Sequence, residues 1–189
     1  MFKDITVIDD FLENPFHVLD FLNKQTFYKK DEHIMPGQSI DTTWSGKRTN
    51  ELFVLNKKMF VDINNSMFMK WMNSSGIDDT NFDYQCSWRV DSYFHRLEES
   101  DIFSDDWFHE DKYFYASVLY LSPKEVSTAG TIIYKGKEKV FIENRFNRLV
   151  IYRADYKHAA AGGFGENENS RQTLISFVKE FGITVSKKG

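Results

Sequence analysis

Apolar positions change period partway along this chain. In the front part they recur at three- and four-residue steps: Met59, Phe60, Ile63, Met67, Phe68 and Trp71 form one stripe, which Asn73-Ser74-Ser75-Gly76 then stops. That spacing predicts a helix, and a methionine and aromatic stripe of this kind predicts core rather than a ligand box. Earlier, Asn14-Pro15 supplies an N-cap followed by proline at the first helical position, which predicts a helix toward Lys24 with Phe16, Leu19 and Leu22 on its apolar face. Ile5 to Ile8 predicts a short strand, and Met35-Pro36-Gly37 to Gly46 a loop.

From Tyr84 the apolar segments become short and are separated by turn or charged residues. They run Tyr84 to Phe94, Phe114 to Leu121, Thr131 to Tyr134, Lys139 to Ile142, Arg148 to Tyr152 and Thr173 to Val178. Strands of this length and spacing predict an antiparallel sandwich or barrel such as a jelly roll. With the helices placed outside it, the class is α+β. Without a repeat or low-complexity linker, residues 1–189 read as one domain, in which 1–80 form a helical support region and 84–181 the β core.

A length of 189 residues suits one domain, and 41% hydrophobic with 16% aromatic residues can fill its core. The net charge of −4 opposes the gathering of nucleic-acid phosphates. The single cysteine, Cys86, cannot form an internal disulfide, and residues 1–10 lack a basic and apolar leader pattern, so a reducing cytoplasm is expected. Apolar runs such as Val118 to Leu121 fall far short of the ~20 residues that cross a bilayer, and no membrane partner is expected. Oligomeric state is not legible.

Candidate chemistry begins at Trp107-Phe108-His109-Glu110-Asp111. In extended backbone His109 and Asp111 point to one side while Glu110 points away, so both can reach one ion. His158, beyond the strand Arg148 to Tyr152, can return a second imidazole to the same point. Two histidines and one carboxylate on one face of an octahedral ion leave positions open, the arrangement of non-haem iron(II) oxygenases. Alone, His109 and Asp111 also read as a surface pair. Farther on, Arg171, Thr173, Ile175 and Phe177 alternate along one strand face. An inward arginine there implies a carboxylate held bidentately, with the Thr173 hydroxyl beside it. The other reading pairs Arg171 with Glu166 or Glu168 at the surface.

The order His109-x-Asp111, Tyr115 to Leu121-Ser122, Ala129-Gly130-Thr131, His158 and Arg171-x-Thr173 resembles the prolyl-4-hydroxylase-type branch of the 2-oxoglutarate/iron(II) oxygenase superfamily. The resemblance covers about half the chain, Tyr84 to Phe181. It implies a double-stranded β-helix (a cupin-like jelly roll), Fe(II) on His109, Asp111 and His158, O2 as oxidant, and 2-oxoglutarate as co-substrate with its far carboxylate on Arg171. Tyr120 matches a tyrosine that in the family often binds that carboxylate; it also reads as a core residue. Val7-Ile8-Asp9-Asp10-Phe11-Leu12 with Asn14-Pro15 and Met35-Pro36-Gly37 is similar to the N-terminal region of small phage and marine bacterial members.

Two departures stand out: Ala129-Gly130-Thr131 where relatives commonly carry two glycines, and Asn147-Arg148 where a glycine is common. Because Asp111 is an acid rather than the glycine or alanine of the family's halogenases, the resemblance implies hydroxylation, of a peptide or protein side chain or of a small molecule. Rival readings are a non-catalytic metal-binding β-barrel and a nucleic-acid dealkylase, the latter opposed by the acidic balance. Trp88, Tyr93, Trp107, Phe108, Tyr113 and Phe114 could wall a cleft or sit in the core. The acidic stretch Glu98 to Asp106 reads as a lid or as a solvated loop. His17, His33 and His95 have no metal-binding spacing, and Cys86 reads as a small buried residue.

Overall fold

The structure is a computed structural model that describes residues 3–30, 32, 44–77, 82–101 and 105–187. Two antiparallel sheets lie face to face. The larger one has the order β1 (Ile5–Ile8), β7 (Leu149–Arg153), β4 (Tyr115–Tyr120), β9 (Arg171–Lys187), β3 (Phe82–Leu97) and β2 (Lys47–Arg48); the smaller has β6 (Glu138–Ile142), β5 (Thr131–Lys135) and β8 (Lys157–Ala160). This is the jelly roll that the strand spacing predicts, with helices on one outer face.

Strand alternation sorts the side chains of the large sheet between two cores. Leu119, Leu149, Ile151, Leu174, Val178, Val90 and Phe94 point outward, where they bury against α3 (Lys57–Ser74) and its residues Met59, Phe60, Ile63, Met67, Phe68 and Trp71. Ala116, Val118, Tyr120, Val150, Tyr152, Tyr93 and Ile175 point the other way, toward Ile133 and Ile142 of the small sheet. A bulge at Arg89/Val90 makes the partner strand step from Val178 to Glu180. That extra residue resets the alternation, so Val178 and Phe181, three apart, both face α3. Phe181 stacks on Phe68 at 4.8 Å and 6°, and Trp71, fully buried, meets Tyr115 edge-on at 4.5 Å. Each such pair adds about 0.5–1.5 kcal/mol beyond burial.

The front helices follow their caps. α1 (Pro15–Asn23) starts where the Asn14 side chain accepts from the His17 N–H, and α3 where Asn56 accepts from Met59. Leu19 and Leu22 are buried as expected, but Phe16 is 57% exposed and Val18 takes its place in the core. Phe16 instead leans on the Phe146 ring at 5.2 Å, because two residues before Val18 it lies about 160° away around the helix, off the face that Val18, Leu19 and Leu22 bury.

Three elements lack a sequence signal: the single-turn helix α2 (Leu52–Leu55), the two-residue β2, and β8. Lys157-His158-Ala159-Ala160 has no β-branched residue; it becomes a strand because β5 pairs with it from Thr131↔Ala160 to Tyr134↔Lys157. Strands β3 and β9 run beyond the expected 84–94 and 173–178, since a long ladder carries polar residues that propensity alone does not. Most of the loop expected from Met35 to Gly46, and His33, lie outside the described residues. Among the described residues no helix is long and apolar enough to cross a membrane.

Candidate metal and co-substrate site

A 3₁₀ turn at Asp105–Trp107 delivers the chain into a short extended stretch beside β8. There His109 and His158 form a β-bridge, with N–H to O distances of 3.0 and 2.9 Å, and the Asp111 N–H donates to Ala154 at 2.8 Å. Backbone pairing therefore sets the two imidazoles opposite each other, with ring centroids 4.5 Å apart, and the i, i+2 rule brings the Asp111 carboxylate to the same side. His158 Nε2 lies 3.4 Å from Asp111 Oδ2, and His109 Nε2 lies 3.9 Å from Oδ1. All three donors fall within 4.8 Å of one another.

Protonation follows from the second ring nitrogens. His109 Nδ1 lies 2.7 Å from the Trp107 carbonyl and His158 Nδ1 2.7 Å from the Tyr156 carbonyl. A carbonyl can only accept, so each Nδ1 carries a proton, and this is the tautomer that offers Nε2 as the metal ligand. Burial, then the neighbouring His158, pushes the His109 imidazole below its ordinary value, toward the neutral ligand form.

Among the described residues Asp111 Oδ2 is buried without a hydrogen-bond donor, which is costly for a carboxylate unless a cation compensates it. Bonds of about 2.1 Å at right angles place neighbouring donors about 3 Å apart, and the carboxylate-to-imidazole separations of 3.4 and 3.9 Å are somewhat wider, within reach of small side-chain rotations. The residues fit an octahedral divalent ion.

Arg171 sits deeper, 2% exposed. Its Nε donates to the Ala129 carbonyl at 2.7 Å and one Nη to the Gly130 carbonyl at 3.2 Å, and its guanidinium carbon lies 5.4 Å from the centre of the Tyr120 ring. Gly130 matters for this contact: a Cβ there would lie 1.9 Å from the Ile142 carbonyl, so a side chain would push β5 and β6 apart.

Neither Glu166 nor Glu168 reaches Arg171, and among the described residues it has no ion-pair partner. The surface-pair alternative fails because β9 turns Arg171 inward at its first residue, whereas both glutamates lie in the exposed turn before it. A buried guanidinium with spare donors fits a carboxylate.

Tyr120 is fully buried, and its hydroxyl shares a 2.6 Å hydrogen bond with Thr131, whose side chain reaches the cavity. Thr173 is buried beside them, with its hydroxyl unpartnered among the described residues. These two stand behind the cavity wall, whereas Arg171 opens onto it.

One cavity of about 320 Å³ joins the triad to Arg171, and its wall includes three residues that sequence reasoning missed as site residues: Trp44, Arg48 and His95. β2 is too short to have left a sequence signal, and it is the pairing with β3 that turns Arg48 inward. His95 lines the cavity without joining the triad. Its Nε2 donates to the Ser45 carbonyl at 2.6 Å, and burial keeps the ring neutral.

Of the aromatic candidates, Trp107 lines the cavity, Trp88 packs on Phe60 and Phe68, Tyr93 joins the inner core, and Phe114 is exposed. In the acidic stretch Glu98 pairs with Lys47 at 3.0 Å and Asp101 caps the Glu98 N–H; residues 102–104 lie outside the described residues.

No protein-family model matches the chain, and no curated protein matches it. Solved structures do. A prolyl hydroxylase of Trichoplax adhaerens, in complex with a hypoxia inducible factor oxygen degradation domain peptide fragment, is 14% identical with a TM-score of 0.57, over 93% of this chain and 83% of that one. A 2OG-Fe(II) oxygenase family oxidoreductase of Burkholderia pseudomallei is 10% identical with a TM-score of 0.60, over 93% and 85% of the two chains. At such identity the likeness is one of fold: the chain has the double-stranded β-helix of the 2-oxoglutarate/iron(II) oxygenases, among them prolyl hydroxylases. A His-Asp-His cluster suited to a metal ion lies at its centre.

Proposed function

We propose that the protein is an iron(II)- and 2-oxoglutarate-dependent dioxygenase, one catalytic domain over residues 1–189, that hydroxylates a C–H bond of a peptide or protein side chain or of a small molecule. The observation that carries this reading is a pair of complementary deficits in one cavity among the described residues: the Asp111 oxygen without a hydrogen-bond donor beside two imidazole Nε2 atoms, and the Arg171 guanidinium without an acid deeper in. A divalent cation satisfies the first and a dicarboxylate the second.

His109, Asp111 and His158 would hold the iron, and their Nδ1–H···O=C bonds keep both rings aimed without a proton transfer. Arg171 would bind the far carboxylate of 2-oxoglutarate, with the Tyr120 and Thr131 hydroxyls and Thr173 orienting that end. When bound, iron(II) supplies the site at which O2 and 2-oxoglutarate react to give succinate, carbon dioxide and an oxygen atom for the C–H bond. The chain positions the reactants and keeps water away from them, and the metal and co-substrate carry the hard chemistry. Cys86, the single cysteine, supports a reducing compartment.

The test is incubation with ferrous iron, 2-oxoglutarate and oxygen, with succinate read by mass spectrometry. Succinate formed in proportion to enzyme is expected; its absence from folded, iron-loaded protein overturns the reading.

A further inference from the structure

Arg48 is the second arginine of the cavity, and it stands apart from the co-substrate end. β2 is two residues long, and its side chains alternate: Lys47 turns out to Glu98, while Arg48, paired with His95, turns in. The guanidinium carbon lies 4.7 Å from the centre of the Trp44 ring and 5.8 Å from that of Phe177. Phe177 is six residues along β9 from Arg171, on the same strand face, so the two guanidinium groups reach the cavity from different directions, with the triad near both.

The loop that presents Arg48 is fixed. The neutral His95 ring donates to Ser45, and Gly46 takes φ +75°, where a Cβ would lie 2.1 Å from the Arg96 carbonyl. Trp44 and Arg48 are therefore held in place before any ligand arrives.

What Arg48 lacks is an acid. Among the described residues no carboxylate lies within ion-pair distance of it, and its Nε is buried without a hydrogen-bond partner. Of the groups whose charge bears on it, Asp111 is the strongest and the others are tyrosines; burial outweighs them all and pulls the guanidinium down to about 10. Asp111 is also the anionic donor of the triad, so metal binding would consume that charge. The Trp44 and Phe177 rings lie against the guanidinium but accept none of its N–H groups in hydrogen bonds of ordinary strength, and a planar carboxylate matches such a donor fork.

We propose that Arg48, backed by Trp44 and Phe177, binds a carboxylate of the substrate, so that the substrate is an organic acid held by its acid end with an adjoining C–H bond at the triad. This rests on the oxygenase reading and deepens it by naming the substrate class. It also separates two acids in one cavity: the co-substrate carboxylate goes to Arg171 and the substrate carboxylate to Arg48.

The test uses the full chain with manganese(II) and benzoate as the probe, a planar carboxylate carrying a ring to meet Trp44 and Phe177. Benzamide removes the charge, and phenyl phosphate replaces the planar acid by a tetrahedral one. In calorimetry, benzoate should bind more tightly than either analogue. Arg48→Gln should weaken benzoate by about 10- to 150-fold, the loss that follows removal of a charged hydrogen-bond partner, while 2-oxoglutarate changes by less than about threefold. Arg171→Gln should give the reverse pattern.

Equal binding of benzoate and benzamide, tighter binding of phenyl phosphate, no benzoate binding at all, or an unchanged benzoate affinity in Arg48→Gln each overturns the proposal. If Arg48→Gln weakens 2-oxoglutarate and Arg171→Gln does not, the two arginines exchange roles and the proposal falls with that assignment. Loss of 2-oxoglutarate binding in neither variant fails the oxygenase reading separately. A wild-type measurement stands beside these should a variant not fold: benzoate should protect Arg48, and not Arg171, from phenylglyoxal as read by peptide mass spectrometry. Lack of protection at Arg48 also overturns the proposal.

Discussion

Replacing Asp111 by alanine is expected to abolish metal binding without harming the metal-free fold. The carboxylate is the anionic member of the three-donor set, and the two imidazoles that remain supply no negative charge. Groups that merely orient metal ligands contribute about 10–100-fold to affinity, so loss of an anionic ligand should exceed about 100-fold. In the metal-free protein the substitution has two opposed consequences, since it removes a buried oxygen that has no hydrogen-bond donor among the described residues and takes from Arg48 its strongest neighbouring opposite charge, so thermal unfolding should shift little. Calorimetric titration with manganese(II) reads the first effect and a melting curve without metal the second. Manganese affinity within a few-fold of wild type would take Asp111 out of the site.

Arg171→Ala should raise the 2-oxoglutarate requirement by about 10- to 150-fold, the equivalent of the 1.5–3 kcal/mol that a charged hydrogen-bond partner contributes. Unlike the first substitution, this one does harm the fold. The Ala129 carbonyl loses its donor where β5 begins, while the Gly130 carbonyl keeps the Ala161 N–H, and a buried carbonyl left unpaired costs about 1–3 kcal/mol. Manganese affinity should nonetheless stay close to wild type, because Arg171 touches none of the three donors. Concentration dependence of succinate formation and manganese titration on the same preparation separate these effects. An unchanged requirement for 2-oxoglutarate would reassign the arginine.

What the sequence discloses follows a physical rule: it shows residues whose burial is periodic. The α3 stripe from Met59 to Trp71 and the β4 segment to Leu121 are readable because one face repeats in register with the helix or strand period. Arg171, Thr173, Ile175 and Phe177 do share a face, since alternation holds until Lys179 interrupts it. β8 is invisible by the same rule, as its strand character is lent by β5, and so the frame that carries His158 could not be read even though His158 itself could. Phe16 misleads because the three-residue step it shares with Leu19 does not say on which side of Leu19 the buried stripe extends, and it extends toward Val18.

Arg48 was hidden for a further reason. Its importance comes from what is missing around it, a carboxylate partner among the described residues, and absence of a neighbour in space leaves no trace along the chain. In the front region 1–80, the strand expected at Ile5 to Ile8 takes one edge of the large sheet as β1, and the unforeseen β2 takes the other and brings Arg48 to the cavity.

A crystal grown with manganese(II) and 2-oxoglutarate, with diffraction recorded for the anomalous signal of manganese, tests the central claim most directly. The prediction is one anomalous peak bonded to His109 Nε2, Asp111 and His158 Nε2, with the far carboxylate of 2-oxoglutarate on Arg171. A peak elsewhere, or a 2-oxoglutarate tail directed away from Arg171, would contradict it.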